Sequence, residues 1–338
     1  MGGAQWRKPV STSTSYEIMS TGLTREKLPV VSVVTPSYNQ AAFLSETIES
    51  VISQDYPYIE YIVLDDGSTD ETRMILEQYN GRIKWSFHTN IGQTHTINKG
   101  WKMLTGDILT WLNSDDTFLP GAVSRAVDYL LSNPSARIVF GDTLFTQADG
   151  TPIEPSRRLL QFSYEDFVIN CENPIPQPSA FIRRGVIENT GLLDPYYYYF
   201  MDWDYWLRAG LKSQIAYIPE LLSTYRLHSE SKTVSQARKA APELERMYRD
   251  FFAREDLPES IRKLEKKAMA NMYFTSGGYY LKGGDGKSAK RMAWLALKTY
   301  PQVIIAPRQL HKFIYCLFSG TRIYSYTRDA FYRLTRHA

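Results

Sequence analysis

The chain has 338 residues, with 39 Lys and Arg against 36 Asp and Glu for a net charge of +3, a balance too mild to argue for nucleic-acid binding. Its length allows one large core with an accessory region, or two domains. Only Cys171 and Cys316 are present, which excludes a disulfide framework and a thiolate zinc site and fits a reducing compartment.

Met1 to Lys27 is polar, rich in Ser and Thr, and lacks the apolar core of a secretory signal, so residues 1–28 read as a flexible lead-in. From residue 29 to 145 strand-like and helix-like segments alternate. Strands are predicted at 30–35, 59–64, 83–87, 108–112 and 137–140, and helices at 43–53, 69–79, 94–104 and 122–131. This βα rhythm predicts an α/β protein with a mostly parallel sheet covered by helices on both faces.

After Phe145 the rhythm changes. Asp149-Gly150 signals a hairpin turn, and Pro174, Pro176 and Pro178 mark an extended stretch. Strands are predicted at 181–182, 215–218 and 222–226, with a short helix at 203–209. A boundary falls near residues 229–234, and beyond it helices are predicted at 243–252, 261–273 and 288–298, punctuated by Gly277-Gly278 and Gly283-Gly284. No apolar run reaches the ~18 to 20 residues of a spanning helix.

Two acidic clusters follow predicted strands: Asp65-Asp66-Gly67-Ser68-Thr69-Asp70 and Asn113-Ser114-Asp115-Asp116. In open α/β sheets ligands collect beyond the carboxyl ends of the strands, so carboxylates emerging there are candidate ligand contacts. Gly67 suits a tight turn, and Ser68 or Thr69 a helix N-cap that favours an anion. In the second cluster hard carboxylate oxygens suit Mg²⁺ or a similar cation that keeps open positions for phosphates. Tyr38, after Pro36, offers a flat face on which a base could stack. Asp202 begins a short aromatic helix, where desolvation raises a carboxyl pKa towards that of a general base. His228, at the end of a strand, reads by itself as structural.

In order and spacing, Val31 to Asn39, Asp65 to Asp70, Trp111 to Asp116 and Met201 to Asp204 resemble the motifs of family 2 glycosyltransferases, as do Gly92 to Gly100 and Gln177 to Ser179. The resemblance spans about residues 31–228. It implies the GT-A fold at 29–232, with a nucleotide-binding half (29–145) and an acceptor-binding half (146–232), followed by a helical C-terminal extension (233–338). By position it implies that Pro36, Tyr38 and Asp66 surround the nucleoside, Asp66 accepting from the base. Gln93 and Asn98 lie along the nucleotide pocket, with Asn113 and Ser114 in the nucleotide-binding turn. Asp115 faces ribose and metal, Asp116 metal and diphosphate, and His228 adds a metal or diphosphate contact. Asp202 is implied as the base that deprotonates the acceptor. The cofactor is then Mg²⁺ or Mn²⁺.

The implied reaction is inverting transfer of one sugar from a nucleotide-diphospho-sugar, UDP ahead of dTDP and GDP, to a hydroxyl of a saccharide, lipid-linked or other acceptor, in polysaccharide biosynthesis of the cell envelope. Two departures stand out: Asn113 replaces the first acid of the family's Asp-x-Asp element, and Met201 replaces a Glu often found before the base. No Gln-x-x-Arg-Trp element is present, which favours single transfer over processive polymerisation. Rival readings are a non-catalytic sugar-nucleotide scaffold, motivated by Asn113, and a sugar-phosphate nucleotidyltransferase, disfavoured because the first loop lacks Lys and Arg. The expected setting is cytoplasmic. For the C-terminal helices, with Arg322, Arg328, Arg333 and Arg336 among aromatics, peripheral contact with an anionic membrane and packing on the catalytic domain or a partner subunit stay open.

Overall fold

The computed structural model describes residues 28–155, 159–228 and 237–318. Residues 1–27 of the predicted lead-in and the arginines at 322, 328, 333 and 336 lie outside them.

The βα rhythm is present as β1 (Val31–Ser37), α1 (Ala41–Ile52), β2 (Ile59–Asp65), α2 (Thr72–Gln78), β3 (Lys84–Phe87), α3 (Gln93–Met103) and β4 (Ile108–Trp111). Strands β3, β2, β1 and β4 lie side by side and all parallel. Both faces of this sheet are buried, which is why its strands read as continuous apolar runs. Val31, Val33, Tyr61 and Val63 face one core, and Val34, Ile62, Leu64 and Trp111 face the other.

Past β4 the sheet becomes mixed. There follow β5 (Thr117–Phe118), α4 (Ala122–Ser132), β6 (Ala136–Thr146), β7 (Pro152–Pro155), α5 (Tyr164–Asn170), β8 (Ala180–Arg183), α6 (Arg184–Thr190), α7 (Met201–Gly210) and β9 (Gln214–Arg226). The sheet order is β3-β2-β1-β4-β8-β6-β9-β5, with β7 on β6. Strand β8 is antiparallel to both β4 and β6, whereas β6 and β9 run parallel. The two strands predicted at 215–218 and 222–226 are one strand. Pro219, which cannot donate to a ladder, falls where the β6–β9 register jumps, so the strand continues through a bulge.

The C-terminal helices are α8 (Ala237–Phe252), α9 (Glu259–Arg262), α10 (Glu265–Lys282), α11 (Gly286–Thr299) and α12 (Pro307–Phe318). Leu244, Met247, Tyr248 and Phe251 of α8 and Met272 of α10 join the same core as Val34, Trp111 and Trp206. These helices therefore pack on the sheet's own core. Gly277-Gly278 does not interrupt a helix as predicted. Gly277 sits inside α10, where an added Cβ would lie 2.7 Å from Cys316 Sγ of α12, so the glycine permits close helix approach. No helix among the described residues is long and apolar enough to cross a membrane.

Candidate active site

The parallel strands deliver their loops to one rim of the sheet, and a cleft of about 690 Å³ opens there. It is lined by Pro36, Tyr38, Asp66 and Gln93 on one side and by Tyr198, Tyr199, Met201 and Asp202 on the other, with Asn113 to Asp116 and Gln177 between. These six segments, distant in sequence, therefore meet in one cavity.

The first two loops lock each other. Asn39, in the left-handed region with φ 52, accepts the Thr69 amide on Oδ1 at 2.8 Å, and its own amide donates to Ser68 Oγ at 3.0 Å. The predicted caps Ser68 and Thr69 do not begin a helix. Asp70 does the capping: Oδ2 accepts the Ala41 amide of α1 at 2.9 Å and Oδ1 the Thr72 amide of α2 at 3.1 Å. One carboxylate thus fixes the starts of two helices.

Asp66 is buried and accepts the amides of Ile91 at 2.7 Å and Gly92 at 2.9 Å, one on each oxygen. A carboxylate offers about four lone-pair sites, so acceptor capacity remains for a base. Tyr38 stands half exposed at the mouth. Asn98 departs from expectation. Its amide exchanges two hydrogen bonds with the Leu193 backbone, at 2.8 and 3.1 Å, and it is buried away from the cleft. It ties α3 to the loop after α6 and is not among the residues that line the cleft.

Asn113 is held from three directions. Its Oδ1 accepts from Gln93 Nε2 at 2.8 Å, and its Nδ2 donates to Gln177 Oε1 at 3.0 Å and Asp116 Oδ2 at 3.2 Å. Gln177 in turn donates to the Trp111 carbonyl at 2.7 Å. The amide is suited to this node because it both donates and accepts; an aspartate would only accept.

Asp116 is 1 % exposed, and its other oxygen accepts the Arg226 amide at 3.0 Å. Burial, and next the charge of Asp115, push its carboxyl well above the usual range. One oxygen ties the loop to β9 and the other accepts from Asn113, while Asp116 still borders the cleft beside Asp115. Asp115 faces the cleft, and its Oδ2 lies 3.0 Å from His228 Nε2. His228 packs on the Phe43 ring at 5.0 Å, behind Asp115. Among the described residues no group of three or more His, Cys, Asp or Glu side chains is arranged to hold a metal. Yet an adjacent carboxylate and imidazole fit Mg²⁺ or Mn²⁺ bound chiefly by substrate phosphates and water.

Across the cleft, Asp202 lies in the first turn of α7, and burial pushes its carboxyl up to about 6. Asn173 Nδ2 donates to its Oδ2 at 3.1 Å, favouring the ionised form. The preceding residue, Met201, accepts from Thr94 Oγ1 on sulfur at 2.9 Å. The helical region fixes both segments that carry this pair. Glu243 of α8 accepts the amides of Tyr199 and Phe200, at 2.6 and 3.0 Å, just before Asp202. Asn271 and Thr275 of α10 donate to the carbonyls of Ile169 and Cys171, at 2.8 and 3.2 Å, and Arg308 and Lys312 of α12 pair with Glu172.

Sequence reasoning missed Asn173 and Arg226. Arg226 is buried at the end of β9, donates from Nε to the Asp115 carbonyl at 3.1 Å, and lies over the Phe43 ring. An arginine closing a strand beside a histidine was the available signal for it. Asn173, in a proline-rich loop, carried none.

A mixed α/β sheet with acidic turns and a carboxylate facing them over a cleft is the arrangement expected of the GT-A fold. Comparison with known proteins agrees. Residues 32–191 match the profile "Glycosyl transferase family 2". The putative teichuronic acid biosynthesis glycosyltransferase TuaG of Bacillus subtilis is 31% identical over 235 residues, covering 66% of this chain and 88% of TuaG. An uncharacterized glycosyltransferase of Rickettsia prowazekii is 28% identical over 249 residues, covering 71% and 74%. S. aureus TarS 1–349, solved with UDP-GlcNAc, superposes with a TM-score of 0.61 at 18% identity, covering 85% of this chain and 81% of that one. The mannosyltransferase PcManGT of Pyrobaculum calidifontis, solved with GDP-Man and Mn²⁺, gives 0.58 at 16% identity, covering 86% and 85%. The chain belongs to glycosyltransferase family 2.

Proposed function

We propose that the chain is an inverting glycosyltransferase that moves one sugar from a nucleotide-diphospho-sugar, UDP-linked in the first instance, to an acceptor hydroxyl. The observation that carries this reading is the single cleft shared by Asp115 and Asp202, with the Asp202 carboxyl pushed up to about 6. A carboxylate titrating there is ionised at neutral pH yet basic enough to take a proton in the transition state. Asp202 accepts the hydroxyl proton as the acceptor oxygen bonds to the anomeric carbon. The bond from that carbon to the diphosphate oxygen breaks, and a single displacement inverts the configuration. Asn173 holds the base, while Tyr38 and Asp66 flank the base of the nucleotide. A Mg²⁺ or Mn²⁺ ion held by Asp115 with Asp116 and His228 would neutralise the departing diphosphate.

UDP is favoured by the fold shared with TarS, whose complex contains UDP-GlcNAc, and a cell-envelope polysaccharide acceptor by the kinship with TuaG. In this reading residues 29–145 form the nucleotide half, 146–232 the acceptor half, and 233–338 the extension that braces the base. Isothermal titration with UDP-, dTDP- and GDP-sugars, with and without Mn²⁺, tests it. Cation-dependent binding that Asp115→Asn weakens is expected. Absence of binding, or binding indifferent to cation, would instead support a scaffold. Proton NMR of the product reads the anomeric configuration, and retention would overturn the single displacement.

A further inference from the structure

We propose that the outward face of α11, with the adjoining start of α12, docks on an anionic lipid bilayer surface. Helix α11 buries Ala289, Met292, Ala293 and Ala296, a stripe at helical spacing, on the side towards α10. Lys287, Lys290, Arg291, Trp294 and Lys298 lie on the opposite side and are all exposed. The charge is one-sided: from Gly286 to Phe318 there are six Lys and Arg and not one Asp or Glu, in a chain that is otherwise nearly balanced. Arg308 and Lys312 are neutralised by Glu172, whereas none of the four cations on α11 forms an ion pair among the described residues.

Large apolar side chains stand among these charges. Trp294 is 62 % exposed, Ile305 78 % and Leu310 41 %. The Trp294 ring meets Phe313 of α12 edge-on at 6.2 Å, and Leu310 lies one turn before Phe313, so the apolar groups of the two helices are contiguous. Exposed Trp with aliphatic residues and a surround of Lys and Arg is the mixture that settles at the headgroup layer of an anionic membrane. A nucleic-acid backbone would match the charge and leave the Trp and Ile in water. An acidic protein is the remaining alternative, and the experiment separates it. Helix α12 also pairs through Arg308 and Lys312 with Glu172, next to Asn173, so docking would set that side of the cleft in a fixed relation to the lipid surface.

The test is sedimentation of the full chain with vesicles of phosphatidylcholine alone, or with about 30% phosphatidylserine to give a physiological anionic surface. Wild type should sediment with the anionic vesicles only, and less as salt is raised. Each basic residue near such a surface contributes about fivefold in partition. The variant with Lys287→Gln, Lys290→Gln, Arg291→Gln and Lys298→Gln should therefore lose about 100-fold or more, and Trp294→Ser alone several-fold. Should the fourfold variant not fold, the Trp294→Ser change and the wild-type salt dependence decide by themselves. Unchanged partition of either folded variant, equal binding to neutral vesicles, or binding to polyglutamate but not to vesicles would overturn the proposal.

Discussion

Removing the Asn173 amide is the sharpest probe of how this site tunes its base. In the wild type, Nδ2 of Asn173 donates to Asp202 Oδ2 at 3.1 Å, a bond that favours the carboxylate against the burial that raises its pKa to about 6. A hydrogen bond to a charged group is worth about 1.5–3 kcal/mol, and one pKa unit corresponds to about 1.4 kcal/mol. Complete loss would raise the Asp202 pKa by about 1 to 2 units. Because Asp202 borders an open cleft, water recovers part of the bond, and the lower figure applies to Asn173→Ala. The assay is kcat/KM for sugar transfer from pH 5 to 9.5. The acid limb should move from about 6 to about 7, which lowers the rate about fivefold at pH 6 and leaves it near wild type at pH 9. Donor affinity should not change. Identical acid limbs in the two proteins, or a loss uniform across pH, would refute the tuning argument.

Three further changes have defined outcomes. Asn113→Asp restores the family's first acid but replaces the donation to Asp116 Oδ2, now 3.2 Å, by a facing carboxylate, so cation-free protein should lose about 1–3 kcal/mol in thermal unfolding; a gain would contradict the node. Gly67→Ala forces a side chain at φ +82 with its Cβ 2.7 Å from the Asn90 amide nitrogen, and should cost about 1–3 kcal/mol along with nucleotide affinity, whereas a wild-type melting curve would show that the turn is not constrained. Asp202→Asn should stabilise the fold. The folded pKa lies above the unfolded one, so the folded chain binds the extra proton between about pH 4 and 6, and keeping the group ionised costs stability above that window. Denaturant unfolding should give the variant up to about 3 kcal/mol more stability at pH 8 and no advantage at pH 3.5; a variant less stable than wild type at pH 8 contradicts the burial argument.

Much of residues 29–145 was legible because both faces of the sheet there are covered and the exits of β2 and β4 carry acids. Val31 to Ser37, Ile59 to Asp65 and Ile108 to Trp111 announce buried strands by composition alone. Residues 146–232 were less so. Strand β9 depends on pairing with β6 across a bulge, α5 and α6 are only seven residues long, and neither carries a strong local signal. At the site, residue type was readable but division of labour was not. Asp115 and Asp116 look alike in sequence, and only the structure shows that Asp116 accepts the Arg226 and Asn113 amides while Asp115 meets His228. Asn98 sits in a family-like segment, but its partner is the Leu193 backbone, 95 residues away in the chain. Contacts of that range follow from tertiary packing, which local pattern does not encode.

The most direct test of the account is turnover of Asp202→Asn at saturating donor, measured beside its affinity for the same nucleotide sugar. The account predicts a loss of about 100 to 10,000-fold in kcat, the range for removal of a general base, with the dissociation constant unchanged. Wild-type turnover in that variant would contradict it.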